Sequence, residues 1–236
     1  MKSFLKITTV LLCLIVSACN STTAAGDNGA GSNANARNGK LYLRTFMGFG
    51  SGLDIDWFYL GNDGKLVKNP KHGADPANMA AELQDNAANT GTYTLSSKQL
   101  IIHWQGGSTS NWSLEREAGG VISAIDGGIV TQQTALPASF KLSGSYEAGS
   151  VLPNVSAIST MVFSKDGTFK QTNSGAVVTD AATGYSEKKY SGTYTITGNT
   201  MSINFNDGKK VIALIAVLGG DTHNLVINKS SFTMTR

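Results

Sequence analysis

The stretch Gly91–Trp104, GTYTLSSKQLIIHW, returns as Gly192–Phe205, GTYTITGNTMSINF, and this repetition constrains the fold more than any other feature of the chain. In each copy Gly-Thr-Tyr-Thr and an aliphatic residue (Leu95 or Ile196) lead into a polar turn. A strand pattern follows, Leu100, Ile102, Trp104 in one copy and Met201, Ile203, Phe205 in the other. Alternation at period two buries one face of a strand and wets the other.

The match extends upstream and downstream. Leu60-GNDG-Lys65 corresponds to Phe163-SKDG-Thr168, each an apolar strand end, an Asp-Gly turn and a new strand. Leu41-Tyr-Leu-Arg runs into Gly50-Ser51 as Phe140-Lys-Leu-Ser runs into Gly149-Ser150. Between turn and core each copy carries a polar insert, from Asp75 and from Asp180, and Ile125-Asp-Gly-Gly and Ile227-Asn-Lys-Ser-Ser predict late hairpins. A repeat of roughly one hundred residues is too long for a solenoid and reads as two homologous domains, 40–136 and 137–236.

Residues 1–18 read as a leader. Lys2 and Lys6 precede a mostly apolar run, Ile7–Val16, too short to span a bilayer comfortably. Val16-Ser-Ala-Cys19 resembles the lipobox of bacterial lipoproteins, which implies lipidation of Cys19 and a stable acyl anchor. The alternative is an ordinary signal peptide cleaved after Ala25. Asn20, where an inner-membrane lipoprotein commonly has Asp, implies the outer membrane, with periplasmic, surface-exposed and released forms all open. Residues 19–39 read as a flexible tether, since Ser21–Gly39 is Ser, Thr, Ala, Gly and Asn with scattered charge and no apolar period.

Loss of Lys2 and Lys6 with the leader brings nineteen basic residues to seventeen against sixteen acidic ones. That removes the case for a nucleic-acid partner. With Cys13 gone and Cys19 lipidated, the mature chain has no disulfide, so burial must hold it together. Short alternating segments joined by Gly, Asn and Asp turns predict an all-β chain of two tandem small antiparallel meander barrels, about eight strands each. Asp75-Pro76 before Ala-Asn-Met-Ala-Ala-Glu-Leu predicts one short helix in the first, with Asp as N-cap and Pro at the first helical position.

Phe140-Lys-Leu-Ser-Gly-Ser-Tyr, the SKDGTF turn and GTYTI with NTMSINFNDGK resemble bacterial lipocalin-like domains of the calycin group. Gly144-Ser-Tyr146 stands where classical lipocalins have Gly-x-Trp, and Thr45-Phe-Met47 is the corresponding stretch of the first unit. The resemblance implies a closed barrel with an internal cavity or packed core. By architecture alone, the tandem arrangement is similar to secreted bacterial immune modulators built of calycin domains.

No constellation in the sequence points to an enzyme. His72, His103 and His223 have no ligand spacing, no Ser sits in a Gly-x-Ser-x-Gly elbow, and the Asp-Gly turns lack an EF-hand ladder, so neither metal nor cofactor is expected. Asp54 and Asp56 share a strand face and read as a solvated strand end near a rim, ahead of an acid–base pair. The aromatic residues differ between units: Trp57 and Tyr59 match Thr160 and Val162, and Trp112 falls near Ala213, whereas Trp104 and Tyr93 match Phe205 and Tyr194. Two readings stand, core packing or an inter-domain face on one side, a ligand pocket or partner patch on the other. The candidate ligand residues are Trp57, Tyr59, Trp104, Trp112 and Tyr93. Two functions follow: an exported binding protein for a small apolar or amphipathic molecule, or an interaction protein acting on a host or envelope protein.

Overall fold

The repeated stretch folds into the same hairpin twice in the computed structural model, which describes residues 39–48, 52–74, 79–152, 155–179 and 182–235. Gly91 pairs with Trp104, and Gly192 pairs with Phe205. A Cβ on Gly91 would run into the His103 carbonyl oxygen, and one on Gly192 into that of Asn204, so both positions require glycine. The Asp-Gly turns lock onto these hairpins identically. The Gly64 carbonyl accepts the Tyr93 N–H at 2.8 Å and the Gly167 carbonyl accepts that of Tyr194 at 2.7 Å. Gly64 and Gly167 sit at φ 80° and 88°, a conformation that glycine alone adopts freely.

Each unit closes as an eight-stranded antiparallel meander. The first comprises β1 (Gly39–Gly48), β2 (Gly52–Gly61), β3 (Lys65–Lys68), β4 (Thr90–Leu95), β5 (Gln99–Trp104), β6 (Thr109–Arg116), β7 (Ile122–Ile125) and β8 (Gly128–Gln133), with β1 pairing β8. The second comprises β9 (Gly144–Leu152), β10 (Val155–Phe163), β11 (Thr168–Thr179), β12 (Ala182–Thr197), β13 (Thr200–Phe205), β14 (Lys210–Leu218), β15 (Asn224–Ile227) and β16 (Ser230–Thr235), with β16 pairing β9. Closure leaves no free edge where the ladder is complete.

The register corrects the first strand of the repeat. Tyr42 pairs with Phe58 as Tyr146 pairs with Met161, so Tyr42 is the counterpart of Tyr146, and Thr45-Phe-Met47 is not. Phe140-Lys-Leu142 is not a strand at all. It precedes β9, with Leu142 fully buried and Phe140 packed on the second core. The inserts also diverge. The first forms α1 (Met79–Asp85), while Asp75 and Pro76, read as its start, lie outside the described residues. The second extends the ladder out to Thr179 opposite Ala182, so β11 and β12 are long rather than short, at 12 and 16 residues.

Side chains pack into a core inside each barrel, but their aromatic bulk lies at different levels. Leu60 and Leu66 of the first barrel match Phe163 and Phe169 of the second, pair for pair. Toward the other end Phe58 and Trp112 match Met161 and Ala213. The Phe58 and Trp112 rings meet edge-on at 5.4 Å, and Trp104 lies 6.0 Å from Trp112. In the second barrel Phe163 stacks edge-on with Tyr194 at 5.0 Å.

The barrels share a third apolar cluster. Leu41, Leu43, Ile55, Trp57, Tyr59 and Val67, on the outer face of β1–β3, pack on Leu214, Ala216 and Val226 of β14 and β15. Trp57 donates its indole N–H to the Asn228 carbonyl, and the Ala74 N–H donates to Thr200 Oγ1 at 2.8 Å. Asp56, 2% exposed, is not a solvated strand end. Its carboxylate faces Lys68 at 2.9 Å, Lys229 of the second barrel at 3.5 Å and Arg44 at 3.6 Å, and accepts an Asn69 hydrogen bond at 2.8 Å. Asp54 is exposed, so the two carboxyls form no pair.

Candidate functional site

An opening lies at the end of the first barrel bounded by the Gly61–Lys65 turn and by the loops around residues 96–98 and 117–121. It is a cavity of about 300 Å³. Tyr42, Leu60, Tyr93, Leu95, Arg116 and Gln132 are among its lining residues, with Lys40 at the wall and Gly119–Ile122 along one side. Leu60 lines the cavity at the position that Phe163 occupies in the second barrel, where Leu142 stops the corresponding end. In the second barrel, Tyr194 holds that stopper on both sides. Its hydroxyl accepts the Leu142 N–H at 3.0 Å and donates to the Leu142 carbonyl at 2.9 Å or the Ser164 carbonyl at 3.0 Å.

Strand phase positions the polar groups. Trp112 and Leu114 share the inward face of β6. Past a register shift between Glu115 and Arg116, the exposed Arg116 pairs with buried Ile122 and brings its guanidinium to the rim. There Arg116 donates to the Gly120 carbonyl at 2.7 Å and the Ser96 carbonyl at 3.3 Å. Tyr42 and Gln132 are directly opposed across β1 and β8, and the Tyr42 hydroxyl reaches Gln132 Oε1 only at 3.5 Å. The Tyr93 hydroxyl donates to the Gly61 carbonyl at 2.9 Å. Burial pushes the Tyr42 phenol up, Tyr93 adds to the effect and the Arg116 charge opposes it. Burial, and then Asp63, push the Tyr93 phenol up. Both hydroxyls therefore stay protonated at neutral pH.

Of the five aromatic residues singled out by sequence, only Tyr93 lines this cavity. Trp104 and Trp112 pack in the first barrel's core, and Trp57 and Tyr59 lie in the contact between barrels. Cys19 lies outside the described residues. Sequence reasoning passed over Tyr42, Arg116 and Gln132. Their signal lay in the repeat, whose register places Tyr146, Val217 and Met234 at the same points.

The fold is that of tandem eight-stranded antiparallel barrels, consistent with a lipocalin-like architecture. No protein-family model, curated protein or solved structure matches the chain.

Proposed function

We propose that the protein is an exported binding protein, anchored through Cys19 to the outer membrane, whose first barrel holds a small amphipathic molecule at its open end. One observation carries this reading: the same end is stopped by Leu142 in one barrel and opens into about 300 Å³ in the other. Ligand cavities span roughly 300–1,000 Å³ and combine apolar walls with a few polar groups, so this one suits a short-chain or compact molecule. Leu60, Leu95 and Ile122 supply the apolar wall, and Tyr42, Tyr93 and Gln132 the polar one. Native mass spectrometry and calorimetric titration with short amphiphiles test the reading. Saturable binding is expected, and it should vanish in a folded Leu60→Phe variant, which carries the second barrel's residue. Absence of binding by every probe overturns it.

A second reading, action on a host or envelope protein, is supported by an exposed apolar patch. Met47 is 74% exposed and sits opposite Leu53, and Ile129, 70% exposed, lies beside Thr45 on the neighbouring strand. Capture of a partner by the native protein but not by a Met47→Lys, Ile129→Lys variant would favour it.

A further inference from the structure

We infer that the polar end of the bound molecule is an anion, a carboxylate on a short apolar body, seated against Arg116 and the Tyr42 hydroxyl. This deepens the binding reading above and rests on it. The cavity wall carries two cations, Lys40 and Arg116, and no aspartate or glutamate. Among the described residues Arg116 has no ion-pair partner. Its two hydrogen bonds go to backbone carbonyls, which orient the guanidinium without neutralising it. Arg44 in the same barrel shows the contrasting case, with its charge met by Asp56 at 3.6 Å. Asp63, whose charge reaches Tyr93, is tied to Lys65 at 2.8 Å. An arginine held in place at the mouth of a partly apolar cavity presents a planar fork that matches a carboxylate.

Tyr42 lies at the same end of the barrel and lines the same cavity. It is 3% exposed, yet its hydroxyl has only the Gln132 oxygen at 3.5 Å, well beyond the usual reach of an O–H donor, about 2.5–3.0 Å. A carboxylate oxygen entering between Tyr42 and Arg116 offers the hydroxyl a closer acceptor than Gln132 does. Leu60, Leu95 and Val121 then receive the apolar body. The second barrel cannot do this. At the matched positions it has Val217 for Arg116 and Met234 for Gln132, both packed against its core.

The test compares octanoate, 1-octanol and octylammonium, each below its micelle-forming concentration, by titration calorimetry of the full chain at neutral pH. Octanoate should bind about tenfold or more tightly than octanol, as expected for one charge-assisted contact, and octylammonium more weakly than either. Arg116→Gln should abolish the octanoate advantage and leave octanol unchanged. An Arg116→Val, Gln132→Met variant, carrying the second barrel's residues, should likewise lose the octanoate advantage. Equal affinity for octanoate and octanol in the native protein overturns the anion inference and leaves the cavity reading standing. So does octanoate binding undiminished by Arg116→Gln. Failure of all three probes to bind overturns both.

Discussion

At the scale of single residues the most consequential side chain outside the cavity is Asp56. Burial pushes its carboxyl up, but hydrogen bonds from Asn69 and Lys68 and the charges of Lys68 and Lys229 outweigh that and hold it below the ordinary carboxylate value of 3.8. A carboxyl whose pKa is depressed on folding stabilises the fold above its unfolded pKa, and that contribution is lost as the pH falls through the folded value. Urea unfolding curves should therefore show stability beginning to fall as the pH drops toward 3.8 and continuing to fall below it. An Asp56→Asn variant should lose about 3–5 kcal/mol at neutral pH, because Arg44 and Lys68 are left without their anion. Its acid-dependent loss should be correspondingly smaller. A variant as stable as the native protein at neutral pH would show that the ion cluster adds nothing.

At the scale of elements the repeated hairpin makes a paired prediction. Gly91→Ala and Gly192→Ala should each cost about 1–3 kcal/mol in urea unfolding, since the added methyl meets a carbonyl of the adjacent strand. Gly106→Ala, where a Cβ meets nothing within 4 Å, should stay within about 0.5 kcal/mol of the native protein. These hairpins were legible in the sequence because their turns, alternation and glycines repeat together. The first strand was not. Leu41-Tyr-Leu and Phe140-Lys-Leu carry the same apolar spacing, and only the pairing of Tyr42 and Tyr146 shows that one is a strand and the other a stopper. The asymmetry of Trp57 and Tyr59 was legible too, but not its meaning. Alternation tells which residues share a face, and closure of the barrel decides which face is outside. Arg116 went unseen because a charged residue at a strand end ordinarily reads as solvated, and its pairing with buried Ile122 follows a register shift that alternation does not foretell.

At the scale of the whole molecule the two barrels meet through unlike faces, β1–β3 of the first against β14 and β15 of the second. Unlike faces can in principle repeat without limit. Here they cannot, because the second barrel's version of the docking face holds Ser145, Glu147, Thr160 and Val162, and the first barrel's version of the receiving face holds Ser113, Glu115 and Ala124. Light scattering after size-exclusion chromatography of residues 39–236 should therefore find no open-ended assembly. Trp57 closes the contact from the first barrel's side with its ring and its indole N–H, so the native protein should unfold in one calorimetric transition. Trp57→Ala should lose about 3–5 kcal/mol of coupling and separate the transition into two. The stopper Leu142 has a further consequence for the gene. It belongs to the segment that joins the barrels, so one stretch of codons both spaces them and seals the second. The residues before Gly39, Asn33-Ala-Asn-Ala-Arg-Asn38, encode no large apolar side chain with which to seal the first. Exchanging the coding order of the barrels around an unchanged linker would hand Leu142 to the barrel that has no stopper among the described residues, and openness would become a property of position in the message.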